Sequence, residues 1–209
     1  MGTKIILERH GQSIGNRDKI YLGHTDLGLT DDGVKQAEIT ANHLANEPIT
    51  AVYSSDLKRA FSTALPHARL HNLEVNTSEN LREMFVGDWE GKLVPELVRD
   101  YHEDFVIRRT HRDFAYPGGE SVYDAYVRLH NELLRIAKEN VGGTVLVVSH
   151  SAVIRAFWYY LSGYTELDMT VKVPFMPNAS YCILEFDGDS LIPIKYFCAD
   201  HIPKKTTGE

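Results

Sequence analysis

The chain has 209 residues, 43% of them hydrophobic, which suits one domain with a sizeable core. A formal net charge of −7 argues against general nucleic-acid binding, although local basic groups can still hold an anionic substrate. No apolar run is long enough to span a bilayer, and the run after Lys4 is too short for a secretory leader.

In chain order, Ile5-Ile6-Leu7 reads as a buried strand that runs into Glu8-Arg9-His10-Gly11-Gln12-Ser13 and on to Asn16. A loop follows through Tyr21-Leu22-Gly23-His24-Thr25-Asp26. Thr30 is the expected N-cap of a helix with Asp31 and Asp32 in its first turn and Val34, Ala37, Ala41 and Leu44 at helical spacing; Pro48 is expected to end it. Ile49 to Tyr53 is a second strand. Ser54-Ser55 should cap a helix carrying Leu57, Ala60, Phe61 and Ala64, with Pro66 kinking or ending it. Leu73-Glu74-Val75 reads as a short third strand.

Residues 79–120 are less regular, with a helix from Pro95 and a run of aromatic and basic groups: Tyr101, Phe105, Arg108, Arg109, Arg112, Phe114 and Tyr116. This segment is expected to cover one end of the sheet, with Trp89 as packing. Pro117-Gly118-Gly119 is a turn. Ser121 with Asp124 opens a long helix through Val122, Ala125, Tyr126, Leu129, Leu133 and Ile136, stopped by Gly142-Gly143. Thr144 to Val148 is apolar on both faces, as a central parallel strand should be. Ser149-His150-Ser151 ends it, and a helix with Ile154, Phe157, Trp158 and Leu161 follows. Tyr181 to Phe186 and Ile192 to Phe197 form an antiparallel pair. Cys182 and Cys198 fall in strand-like context and read as core thiols, and Met1-Gly2 fails the myristoylation pattern because Ile6 stands at the required Ser/Thr position. A cytoplasmic protein without a membrane partner is expected.

The expected fold is a three-layer α/β/α domain over residues 1–203. Its mostly parallel sheet has about six strands, one of them antiparallel. A helical cap is inserted at about residues 84–120, and a polar tail at 204–209 is expected to be disordered.

Three strand-to-helix junctions carry reactive groups: Arg9 and His10 after the first strand, Arg59 just after the second, and His150 after the central strand. Right-handed crossovers keep such junctions at one sheet edge, where α/β folds bind ligands. Two arginines and two histidines there favour a phosphate over a metal cation, which the arginines would repel. Histidine can also serve as a covalent nucleophile.

Arg9-His10-Gly11 with Ser13 and Asn16 resembles the signature of the histidine phosphatase superfamily, in its phosphoglycerate mutase-like branch. Leu29-Thr30 with Gly33 and Gln36-Ala37, Ser54 to Ala60 with Thr63-Ala64, and Leu81-Arg82-Glu83 with Gly87 and Trp89-Glu90-Gly91 extend the likeness. Pro117 to Ser121, Val148-Ser149-His150 and Asn178-Ala179-Ser180 complete it. The resemblance implies that His10 forms a phosphohistidine, that Arg9, Arg59 and His150 hold the phosphoryl oxygens with Asn16 close by, and that Glu83 protonates the leaving group and then activates water. Burial and a bound dianion would both favour the protonated form of Glu83 at the start. His10 must attack as neutral imidazole, with its other nitrogen held by an acceptor that the sequence does not name. Gly23, Gln12 and His24 are further phosphate-side candidates, with Lys92 beside them.

No cofactor and no metal are implied. Ser151 stands where the family often has glycine; a side chain there would narrow the approach or add a donor. The segment from Leu93 to Tyr116 resembles the phosphatase members, including those of the α-ribazole phosphate type, more than true mutases. The expected activity is therefore hydrolysis of a small phosphorylated metabolite, with a homodimer as one compatible assembly. The alternatives are a phosphoglycerate mutase, a non-catalytic module that binds a phosphorylated ligand, and a metal hydrolase built on His10, Asp26 and His150.

Overall fold

The computed structural model describes residues 2–110, 114–164 and 172–203, with residues 109 and 110 described by backbone. Arg112, the Arg109 side chain and the 204–209 tail lie outside the described residues. The strands are β1 (Thr3–Arg9), β2 (Ile49–Ser54), β3 (Val75–Thr77), β4 (Thr144–Ser149), β5 (Tyr181–Phe186) and β6 (Leu191–Cys198), in the order β3-β2-β4-β1-β5-β6. β3, β2, β4 and β1 pair in parallel, and β5 runs against both β1 and β6. One strand thus opposes the other five, as the sequence implies.

The sheet is covered on both faces because its strands are apolar on both. Ile5, Leu7, Val145 and Val147 face one core, built with α6 (Val122–Glu139) and α7 (Ser151–Leu161). Ile6, Leu146 and Val148 alternate to the other, which holds Ala60, Ala64 and Ala68 of α3 (Lys58–His71) and Leu44, just past α2 (Asp31–His43). Along α6, Ala125, Leu129, Leu133 and Ile136 recur at helical spacing and are fully buried. Each large aliphatic side chain buried in this way contributes roughly 1.5–3 kcal/mol. Ser121 caps α6 by accepting from the Asp124 N–H at 3.0 Å.

Residues 84–120 carry α4 (Val94–Asp100) and α5 (His102–Thr110). Their anchor is Trp89, fully buried among Tyr21, Tyr101, Phe105, Phe114 and Tyr116. Trp89 is therefore packing, as expected. Cys182 and Cys198 are free thiols. No described helix is long and apolar enough to cross a membrane.

Several local expectations need correction. α3 passes through Pro66 and ends only at His71. A proline removes one backbone donor, and the buried face of Ala60, Ala64, His67 and Ala68 on both sides keeps the helix continuous across it. The N-cap of α3 is Leu57, which makes no side-chain cap bond; Ser54 still belongs to β2, and Ser55 Oγ accepts from the Leu57 N–H at 3.3 Å. α2 stops at His43, before Pro48, because Leu44 already turns inward to the core. β3 begins at Val75, where pairing with Val52 starts, so Leu73 and Glu74 precede it.

One close approach shapes the loop after β1. A Cβ on Gly33 would lie 2.0 Å from the Gln12 carbonyl oxygen, and one on Gly11 would lie 2.4 Å from that of Gly33. Only glycine at both positions lets the first turn of α2 press against residues 11 and 12. Thr30 caps α2 and binds the same loop: its Oγ1 accepts from the Gly33 N–H at 3.0 Å and donates to Gln12 Oε1 at 2.8 Å.

Candidate active site

β1 and β4 are in register from Lys4 opposite Thr144 to Arg9 opposite Ser149, and Ser54 of β2 lies opposite Val148. The three carboxyl ends are therefore level, and the residues that follow them share one edge. The His10 N–H donates to the Ser149 carbonyl at 3.0 Å, and the Gly11 N–H donates to Thr63 Oγ1 at 3.0 Å. Thr63 lies one turn along α3 from Arg59 and donates to its carbonyl at 2.7 Å, so the two junctions are locked together.

The hydrogen bonds assign both imidazole tautomers. His10 Nδ1 is 2.6 Å from the Gly11 carbonyl oxygen, which can only accept; the proton is on Nδ1 and Nε2 keeps its lone pair. His150 Nδ1 is 3.2 Å from Arg59 Nε, which can only donate; the His150 proton is on Nε2, buried and without a protein partner. The rings stand 5.0 Å apart at 61°. One presents a bare nitrogen and the other an N–H. Both are held well below the usual imidazole range, first by burial and then by the Arg59 charge.

Arg59 is almost fully buried, and every nitrogen of its guanidinium has a bond: Nε to His150, Nη1 to the Thr25 carbonyl at 2.8 Å, Nη2 to the Gly23 carbonyl at 2.7 Å. The 23–25 loop is in turn gathered on Glu90. That carboxylate accepts from the N–H groups of Gly23 at 3.2 Å, His24 at 2.7 Å and Thr25 at 3.0 Å, and from Thr25 Oγ1 at 2.5 Å. These donors, against the opposing effect of burial, hold Glu90 below the usual carboxylate range. Arg9 donates to the Met176 carbonyl and lies 4.9 Å from the Phe175 ring, and burial lowers it to about 10.

Glu83 reaches the N-terminus of α7. Its Oε1 accepts from Met84 N–H at 3.0 Å and Val153 N–H at 2.8 Å, and its Oε2 from Ala152 N–H at 3.0 Å. Ser149 Oγ donates to the Leu81 carbonyl at 2.8 Å and pins the approach to this carboxylate above β4. Asn16 Oδ1 accepts from the Ser13 N–H and from Asn178 Nδ2, each at 3.1 Å, which leaves the Asn16 amide hydrogens unspent. Asn178 Nδ2 also donates to the His10 carbonyl at 3.1 Å.

Arg9, His10, Asn16, Arg59 and Glu83 line one cavity of about 630 Å³; His150 is buried and does not line it, its ring lying 5.0 Å from that of His10. Ser151 lines it too. Among the described residues, Gln12, Gly23, His24 and Lys92 do not. The Gln12 side chain is taken by Thr30, Gly23 gives its carbonyl to Arg59, His24 Nε2 bonds the Glu83 carbonyl at 3.0 Å, and Lys92 donates to Tyr101 at 2.8 Å. Asp26 does not line it either; its Oδ1 accepts from the Lys58 N–H at 2.7 Å. Sequence reasoning missed the parts played by Glu90, Thr63 and Asn178. All three stood inside quoted motifs, but nothing local said which backbone groups they would meet.

The buried neutral imidazoles make stability fall on the acid side. An unfolded imidazole titrates near 6.5. As the pH falls below that value, the unfolded chain binds protons that His10 and His150 refuse in the fold, so unfolding becomes easier. His71, His130 and His201 are lowered by burial and act in the same direction; Glu8, raised by burial, opposes them. The thermal midpoint should fall progressively from about pH 7.5 to about pH 5.5. A flat midpoint over that range would contradict the assignment.

The model of the histidine phosphatase superfamily (branch 1) matches residues 5–197. Phosphoserine phosphatase 1 of Hydrogenobacter thermophilus is 35% identical over 203 residues, 96% of this chain and 94% of its own. Phosphoglycerate mutase-like protein 4 of Arabidopsis thaliana is 38% identical over 161 residues, 75% of this chain and 70% of its own. Among solved structures, a mycobacterial glucosyl-3-phosphoglycerate phosphatase superposes with a TM-score of 0.84 at 25% identity, covering 94% of this chain and 99% of its own.

Proposed function

The chain belongs to the histidine phosphatase superfamily, and on that premise we propose that it hydrolyses small phosphomonoesters through a phosphohistidine on His10 Nε2. The observation that carries the reading is the pair of opposite tautomers, a His10 ring with a bare Nε2 and, 5.0 Å away, a His150 ring that carries an Nε2–H and is bonded to Arg59. A phosphoryl group needs both: a nucleophile on phosphorus and donors on the equatorial oxygens, with little else for the protein to supply.

In the first step the His10 Nε2 lone pair forms the N–P bond as the ester P–O bond breaks. The departing alkoxide takes a proton from Glu83. Arg9, Arg59 and the His150 Nε2–H hold the oxygens, with Asn16 adding a donor at the rim. In the second step water attacks phosphorus, Glu83 accepts its proton, the N–P bond breaks and the electron pair returns to Nε2. Inorganic phosphate leaves. The proton lent by Glu83 is thereby restored, and no metal takes part. Glu90 is a positioning residue in this scheme, since it acts on the phosphate only through the loop that holds Arg59. Residues 1–203 act as one unit, with 84–120 supplying the outer wall of the site. Two free thiols fit a reducing compartment, and the cytoplasm is the location assigned.

The test is to trap the intermediate. The enzyme is mixed with a substrate labelled in its phosphoryl group, quenched in alkali and digested. The reading expects an alkali-stable, acid-labile label on the peptide that carries His10. Turnover with no label at that peptide, under conditions where hydrolysis of the intermediate is slowed, would overturn it.

A further inference from the structure

Glu83 must give a proton in one step and take one in the next, so its place has to be fixed at both ends. Its carboxylate is held by three N–H groups, two of them at the start of α7. Its main chain lies in residues 78–84, which belong to neither the sheet nor an α-helix, so the carbonyls there need donors from elsewhere. One side chain supplies three of those donors. Arg128 of α6 donates from Nη1 to the carbonyls of Asn80 at 2.8 Å and Arg82 at 3.1 Å, and from Nη2 to that of Glu83 at 3.2 Å. Its other two hydrogens, on Nε and Nη2, go to Glu120 Oε1 and Oε2, each at 2.9 Å. All five N–H hydrogens of the guanidinium thus have acceptors. Glu120 Oε2 also accepts from the Phe85 N–H at 2.8 Å, and the Glu120 N–H donates to the Phe85 carbonyl at 2.9 Å. The carboxylate that orients Arg128 therefore also closes the two ends of the cap on each other. Both side chains are largely buried, and neither lines the cavity.

We propose that Arg128, oriented by Glu120, is a positioning residue for the acid–base work of Glu83: it sets the main chain from which the carboxylate reaches α7, and never touches the substrate. The assignment rests on the phosphatase reading above and deepens it. A fork bound at two points to a carboxylate is fixed in its plane, so its three remaining hydrogens have set directions. Lysine would keep the charge and lose the fork. Support of the fold alone would make every step suffer alike. Positioning predicts that proton transfer suffers while the cradle of Arg9, Arg59 and His150 does not. The Arg128 charge also helps hold His150 below the usual imidazole range, after burial, Arg59 and His10, so the variant that tests the proposal keeps that charge.

The experiment uses Arg128→Lys, with p-nitrophenyl phosphate and the alkyl phosphate hydrolysed fastest in a panel that includes O-phosphoserine. On the alkyl phosphate kcat should fall roughly ten- to a hundredfold, while the first nitrophenolate turnover, followed by rapid mixing, should change by no more than about twofold. Affinity for inorganic phosphate should be unchanged by calorimetry. In a Glu83→Gln background the same replacement should cost no more than about twofold, because the two residues act as a unit. Glu120→Gln should give the same pattern more weakly, and it carries the test if Arg128→Lys does not fold. Equal losses on the two substrates, weaker phosphate binding, or the full loss repeated in the Glu83→Gln background overturns the proposal. Should no phosphomonoester be hydrolysed, the phosphatase reading fails by itself, and amide hydrogen exchange then decides the positioning. The Ala152 and Val153 N–H groups bond the Glu83 carboxylate and not Arg128. They should exchange about tenfold faster in Arg128→Lys, and unchanged protection overturns the proposal.

Discussion

Replacing His10 with alanine should lower kcat toward every phosphomonoester by roughly 10⁴- to 10⁶-fold, the scale seen when a covalent nucleophile is removed. Binding should behave differently. The two guanidiniums and His150 stay in place, because Arg59 is held by Thr25, Gly23 and His150, and Arg9 by Met176. Inorganic phosphate should therefore still bind His10→Ala, as read by calorimetry. Losing an imidazole from a buried site leaves a cavity, so a melting curve is needed to show that the variant is folded. Retained turnover in the folded variant would end the phosphohistidine reading. Unaltered enzyme that binds phosphate but turns nothing over would leave a binding module. A mutase would also lose activity in His10→Ala, but its unaltered form would need priming by a bisphosphoglycerate, whereas the phosphatase should release phosphate from p-nitrophenyl phosphate unaided.

What the sequence made legible follows from where the residues sit. Arg9, His10, Arg59 and His150 stand at the ends of apolar runs, and a parallel sheet brings such ends level whatever the connecting chain does. Their meeting at one edge could be argued before any coordinates. The partners that tune them could not, because most are backbone atoms. The acceptor that fixes the His10 tautomer is the carbonyl of the next residue, Gly11, and the three donors on Glu83 are N–H groups from Met84, Ala152 and Val153. No side-chain pattern encodes them. Glu90 shows the same limit, since its bonds to consecutive N–H groups exist only after the loop has folded around it.

The local misreadings have the same origin. Pro66 reads as a breaker by propensity, yet buried packing of α3 on both sides outweighs one missing hydrogen bond. The start of β3 is set by where β2 offers it a partner, two residues after Leu73. Arg108 was visible as one basic residue in an aromatic run. Its bonds to Tyr21 and Phe105 depend on long-range packing around Trp89.

Glu83→Gln should separate the two steps of the reaction. The amide keeps nearly the same shape but can neither give a proton nor take one. Its nitrogen would also face backbone donors where the carboxylate now accepts three N–H bonds. For an alkyl phosphate such as O-phosphoserine, whose alkoxide leaves poorly without a proton, kcat should fall by about 10²- to 10⁴-fold. p-Nitrophenyl phosphate needs no such help, because nitrophenolate leaves unprotonated. The first step should then survive while the second, which needs Glu83 as base toward water, is slowed. The variant should therefore give a burst of nitrophenolate close to one equivalent of enzyme, then a slow steady rate, with label accumulating on His10. Equal losses for both substrates without a burst would mean that Glu83 supports the site only by its hydrogen bonds to α7 and that the proton comes from elsewhere.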